Sequence, residues 1–347
     1  MRAIANVRFP VVATPPFIGA SCGNHLHLVM LDATGQQAQH FALADTGTVV
    51  GPVASLPLTR IEAINTCENS VVISGWQGTK GNRSIVRLDA QGHVIGQGEL
   101  PVVDPLMVSP KLTCNGERFS LVWSVNNRAS RLCVVTVNGD SPGEPLEFEF
   151  ADPIFDLCAV ASEHAVTVAC IHGGSTTSLE LILISNEEIA HRLTIEDATR
   201  PSSPSLVIAG GEVILFWLTK PEHELRAQHF DEALQPLGPA SVIASSNELE
   251  MRVARVFQGR DDRLAVSYVA ATQSDEWTVI SENNEADRYE TAFKHEQFLA
   301  RYDFGARRAE EFQKIDGPAV SYPASGWAND SLLLISAGPE PSISIYQ

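Results

Sequence analysis

The chain has 347 residues, 44% hydrophobic and 19% charged, which excludes a disordered polymer and supplies enough apolar matter for a large core. Lys and Arg number 24 against 42 Asp and Glu, for a net charge of −18. Such a surface repels nucleic-acid phosphates and anionic membranes, so neither is expected as a partner.

The first segment, Ala3 to Val12, is an apolar stretch that belongs to no repeat. A first unit opens near Pro15. It carries His25 and His27, which alternate on a predicted strand and so face one side, where they could share a metal. It then runs into HFALADTGTVVG from His40. The second unit opens at Arg60, contains CENSVVISGW (Cys67 to Trp76) and continues as SIVRLDAQGHVIG from Ser84. The third opens near Pro110 and contains CNGERFSLVW (Cys114 to Trp123); a fourth opens near Pro153. The fifth, from Pro204, contains IAGGEVILFW (Ile208 to Trp217) and ELRAQHFDEALQPLG from Glu224. The sixth opens near Met251 and ends in HEQFLARYDFGARR from His295. The seventh, near Pro318, is one strand short.

Each unit reads as four short strands with tight turns between them. Trp76, Trp123 and Trp217 fall in register, which marks packing between units. Asp89, Asp231 and Asp303 sit at turns, where an Asp side chain bonds its own backbone. These spacings predict an all-β fold, a seven-bladed β-propeller of four-stranded antiparallel blades over residues 1–347, one domain. The orphan N-terminal strand is expected to complete the last blade and close the ring. Two stacked sheets would also give many short strands, but equal spacing and the orphan strand favour the propeller.

This blade grammar, a proline-led strand, a Gly-rich turn, an apolar strand ending in Trp and a strand ending in an Asp-Gly turn, resembles a degenerate family of bacterial β-propellers. Pro204 to Gly238 matches it best. The resemblance implies fold, with no activity attached. No WD signature, kelch double-Gly, calcium loop or sialidase Asp-box occurs, and no GxSxG, HExxH, P-loop or dinucleotide fingerprint.

Cys22, Cys67, Cys114 and Cys158 recur at intervals of 45, 47 and 44 residues. The spacing follows the repeat, so they are read as core filling and not as metal ligands or disulfides. Free thiols, and no apolar run suited to a signal core, lead to the expectation of a reducing, cytoplasmic compartment.

A site on a propeller is expected at the channel mouth, on the face holding the loops into each innermost strand and the loops joining second to third strands. Charges on predicted innermost strands are Arg60, Glu62, Lys111, Asp156 and Arg252. Basic residues on the second-to-third loops are Lys80, Arg83, Arg128 and Lys220, a local positive patch suited to a carboxylate, an acidic glycan or an acidic segment. An insertion of residues 271–296 in the sixth unit adds Trp277 and Tyr289, with ADRYETAFKHE as a short helix, and reads as a lid or docking arm. His172 and His223 lie in loops on this face but lack a carboxylate partner in sequence.

The leading expectation is a monomeric, non-catalytic binding propeller for a protein partner or anionic ligand, with no cofactor. The alternatives are a carbohydrate-active hydrolase or lyase, with Glu62 and Asp156 as its acid/base pair, and a lectin-like sugar binder. The sequence leaves open whether the chain is catalytic.

Overall fold

The computed structural model describes residues 1–8, 14–67, 70–78, 82–100, 107–115, 118–126, 130–174, 176–220, 223–246, 250–279, 289–315, 325–336 and 342–347. Among them there is no helix. After β1 (Ala3–Arg8), blade 1 is built from β2 (Thr14–Cys22), β3 (His25–Leu31), β4 (Ala38–Leu43) and β5 (Val49–Leu56). Blade 2 follows with β6 (Arg60–Cys67), β7 (Ser70–Trp76), β8 (Arg83–Asp89) and β9 (Val94–Glu99). Blade 3 has β10 (Met107–Asn115), β11 (Arg118–Asn126), β12 (Ser130–Asn138) and an outer strand in two pieces, β13 (Ser141–Pro142) and β14 (Leu146–Phe150). Blade 4 is β15 (Ile154–Ala161), β16 (Ala165–Gly173), β17 (Thr177–Ser185) and β18 (Glu188–Thr194). Blade 5 is β19 (Ser202–Ala209), β20 (Glu212–Thr219), β21 (Glu224–Phe230) and β22 (Ser241–Ser245). Blade 6 has β23 (Glu250–Gln258), β24 (Leu264–Val279), β25 (Tyr289–Asp303) and a split outer strand, β26 (Arg308–Ala309) and β27 (Gln313–Ile315). Blade 7 is β28 (Ser325–Ala328), β29 (Ser331–Ser336) and β30 (Ser342–Tyr346), completed by β1.

Pairing within blades is antiparallel throughout, and each first strand touches the first strand of the next blade round to β28 against β2. The fold is therefore a seven-bladed propeller, as the repeat spacing predicts. Closure uses both chain ends. Val7 pairs with Ile343 and Asn6 with Ser344, and Arg2 and Gln347 exchange N–H···O bonds of 2.9 and 3.1 Å. Pairing the last blade across the ends leaves no gap in the ring.

The core is divided into seven apolar clusters among the described residues, one per pair of adjacent blades. This explains the strand patterns. Second strands are covered on both faces and read as continuous apolar runs; in β20 every residue after Glu212 is buried. Outer strands are covered less and alternate, as β18 does. Trp123 fills the gap between blades 2 and 3, and Trp217, fully buried, the gap between blades 4 and 5. Blade 7, whose first strand is described over Ser325–Ala328, is clamped from both sides. Trp327 donates its backbone N–H to Ser21 Oγ at 2.6 Å and its indole N–H to Phe257 O at 3.1 Å.

Turn chemistry follows the sequence reading. Asp89 Oδ1 accepts the N–H groups of Gln91 and His93 at 2.9 and 2.8 Å. Asp231 Oδ1 does the same for Ala233 and Gln235, and Asp303 Oδ1 for Ala306. Gly92, at φ +88°, completes the first of these turns, and a Cβ there would also strike the His40 ring at 2.7 Å.

The cysteines correct an expectation. Cys67 and Cys114 form a disulfide between the ends of β6 and β10, with Cα atoms 5.6 Å apart. The repeat spacing, read as an argument against bridging, is what produces it. Equivalent residues on neighbouring first strands lie side by side, at a separation a disulfide spans. Cys22, Cys133, Cys158 and Cys170 form no disulfide. No helix among the described residues is long and apolar enough to cross a membrane.

Candidate binding face

First strands begin, and second strands end, on the same face of the ring, so the expected mouth carries the starts of β6, β15 and β23 and the far end of the β24–β25 hairpin. Several first strands shift register near this face. In β6 the unpaired residue is Glu62, in β15 Phe155 and in β23 Arg252. A bulge re-aims the side chain it releases, and these three take different directions.

Glu62 turns into the interface of blades 2 and 3. Its Oε1 accepts the Trp76 indole N–H and its Oε2 the Arg83 Nε–H, both at 2.6 Å. Arg83, expected on an open loop, is instead the first residue of β8. Its side chain is 1% exposed, with the guanidinium 5.7 Å from the Trp76 ring centre and 5.9 Å from that of Trp123. The two opposite charges thus face each other inside the wall.

Asp156 is half-buried on β15, beside Lys111 on the neighbouring first strand β10. Burial raises its carboxyl above the usual range, against the Lys111 charge and a 2.9 Å bond from the Leu157 N–H. Arg252 binds Glu250 at 3.1 Å, and Lys220 reaches the same carboxylate at 3.5 Å. Burial pushes Glu250 up, but the bonds and charges of Arg252 and Lys220 outweigh it and hold the carboxyl below its ordinary value. Arg60 is exposed at the start of β6. Phe155, not singled out from the sequence, is 53% exposed. Its signal was an aromatic residue beside Asp156, in a first strand otherwise read for charge. Lys80 and Arg128 lie outside the described residues.

The insertion is strand where it is described. Trp277 pairs with Thr291, and Val279 with Tyr289. The helix expected from ADRYETAFKHE gives way from Tyr289 onward to β25; residues 286–288 of that segment lie outside the described ones. The ladder partner decides here, since the segment continues the hairpin of the blade's two middle strands.

The histidines find partners that sequence could not supply. His27 is fully buried, and its Nδ1 lies 2.9 Å from Nε2 of His40, also fully buried on β4. His25 stands edge-on to His27 at 6.3 Å. No group of three or more His, Cys, Asp or Glu residues among those described is placed to hold a metal. His172 lies 3.4 Å from Glu180 on β17. His223 sits in the β20–β21 turn at φ +50°. Away from the mouth, His229 links Glu212 (2.7 Å) to the Tyr302 hydroxyl (2.8 Å), tying blade 5 to blade 6.

A cavity of about 770 Å³ occupies the channel at the opposite end, where first strands turn into second strands, and all seven blades line it. Side chains at this end bond carbonyl groups of the neighbouring blade. Asn65 Nδ2 donates to Leu112 O at 2.7 Å, and Gln258 Nε2 donates to Ile208 O. Arg260 at its rim bonds Asn24 Oδ1 at 2.8 Å.

No family model and no curated protein sequence matches the chain. Solved structures resemble it. Oligogalacturonate lyase from Vibrio parahaemolyticus aligns over 98% of this chain and 92% of its own at 11% identity, TM-score 0.56. BBS1N, solved in complex with ARL6DN, aligns over 99% and 95% at 10% identity, TM-score 0.54. The WD40 domain of SCAP from fission yeast covers 98% and 97% at 10% identity, TM-score 0.44. The class is thus a β-propeller, and at these identities the likeness is one of fold.

Proposed function

We propose that this chain is a non-catalytic binding propeller that docks a protein partner on the face from which the β24–β25 hairpin projects. One observation carries the reading. Thr272–Val279 continues past the last residue of β24 paired with β23, Ala271, so the hairpin runs on for roughly 20 Å, the reach of its shorter arm Tyr289–Lys294. A ribbon of that length lies outside the ladder of its own blade and offers strand edge to a partner, and Phe155, exposed at the start of β15, opens on the same face of the ring.

The state of the charges supports the same reading. Glu62 is engaged by Arg83 and Trp76, which leaves the acid/base pair expected with Asp156 without one member. Glu250 engages Lys220 and Arg252, which weakens the case for an anionic small ligand. Among the fold neighbours one is a lyase and one was solved with a bound protein, so fold alone does not choose.

The register supplies the test. Ala271 and His295 face each other across the ladder, so an Asn-Gly turn can join them and replace residues 272–294. Intact and shortened proteins are compared in affinity capture from the source cells. Binding is then measured with the purified partner, and thermal melts confirm that both proteins fold. The expected result is a partner bound by the intact chain and lost by the shortened one. The same partners bound with equal affinity by both would overturn the proposal.

A further inference from the structure

The ribbon has two open edges. In the blade, β24 is flanked by β23 as far as the Glu250–Ala271 pair, and β25 is flanked by β27 at Gln297–Leu299 and by β26 at Tyr302–Asp303. Beyond these points Thr272–Val279 and Tyr289–Lys294 pair with each other and, among the described residues, with nothing else. Each strand therefore presents a row of backbone N–H and C=O groups without ladder partners. A two-stranded ribbon is marginal by itself and is stabilised by a third strand.

Charge selects the kind of strand. The two described strands of the ribbon, Thr272–Val279 and Tyr289–Lys294, hold Asp275, Glu276 and Glu290 against Lys294, a net charge of −2. A second copy of the ribbon would bring like charge against like charge, on chains that each carry −18. The complementary occupant is basic.

We propose that an open edge of this ribbon takes an extended, basic segment of a partner protein as an added β-strand. This rests on the docking reading above and names its chemistry. Backbone bonds supply the affinity, and alternate Lys or Arg side chains of the segment meet the acidic ribbon.

The test uses three fluorescein-labelled peptides of about eight residues, the length of a ribbon strand. One alternates Lys and Val, one alternates Glu and Val, and one is the Lys–Val peptide with N-methyl groups on alternate residues, which keeps the charge and removes N–H donors. Fluorescence polarisation is read with the full chain, with the shortened chain, and with the full chain carrying Asp275→Lys, Glu276→Lys and Glu290→Lys. The Lys–Val peptide is expected to bind the full chain at least about tenfold tighter than either other peptide, and to lose about tenfold on the shortened or charge-reversed chain.

Equal binding of the N-methylated peptide would overturn strand addition. Equal binding to the shortened chain would assign the affinity to the acidic body instead of the ribbon. No binding of the Lys–Val peptide at millimolar concentration would also overturn the proposal. If the purified partner still requires residues 272–294 while the peptides fail, the docking reading stands and strand addition falls. If neither requires them, both fall.

Discussion

Glu62 and Arg83 were both legible as charges near a channel, yet their meaning depends on where a bulge sends one of them. Their pair is nearly sealed, at 7% and 1% side-chain exposure. A buried pair stabilises little against an apolar pair, but removing one member strands the other charge. Glu62→Ala is expected to cost about 3 kcal/mol or more in urea unfolding, and Glu62→Leu combined with Arg83→Met less than that. A cost within about 0.5 kcal/mol for Glu62→Ala would return the residue to the open channel.

The buried His27–His40 pair makes a second prediction. Unfolded, each ring titrates near 6.5. Folded, burial foremost, then the neighbouring His25 charge, pushes His27 down to about 4; burial, then His27, pushes His40 down to about 3. Asp89 opposes both shifts without cancelling them. The unfolded chain therefore binds more protons, and the contribution of these rings, complete above pH 6.5, is lost as pH falls from there toward 4 and 3. Urea unfolding between pH 7.5 and 4.5 is expected to record a loss of roughly 5 kcal/mol, about 2.5 from each ring. His27→Leu with His40→Leu is expected to flatten that slope. An unchanged slope would remove the pair as its cause.

At the scale of elements, the turns were readable because Asp acts on its own backbone within five residues. Asp231→Ala is expected to cost about 1 kcal/mol, measured by thermal melts, since two N–H groups lose their acceptor. The register of Trp123 and Trp217 was readable for the same local reason, one tryptophan at a fixed distance from each turn. The Cys67–Cys114 bridge was not, because its geometry belongs to two neighbouring blades. Closing a loop across 47 residues, it is expected to contribute about 4 kcal/mol, read as the difference between oxidised and reduced urea curves. The insertion misled for a related reason. ADRYETAFKHE contains good helix formers, and nothing local announces that TQSDEWTV pairs with part of it.

At the scale of the molecule, the number of blades and the role of the first strand could be read from spacing alone, because each blade repeats the same demand for two covered faces. The site could not be read that way. Whether Lys220 is open to a ligand depends on Glu250 of the next blade, and whether Glu62 is depends on where a bulge aims it relative to β8; neither contact is announced by the repeat spacing. Ring closure is the claim on which the channel, its mouth and the ribbon's position all rest. Asn6 and Ser344 face each other between β1 and β30. Asn6→Cys with Ser344→Cys is therefore expected to oxidise to an intramolecular disulfide, found by mass spectrometry as one cross-linked peptide, with a raised unfolding midpoint. Two unlinked thiols under conditions that oxidise Cys67 and Cys114 would contradict a ring closed by the two chain ends.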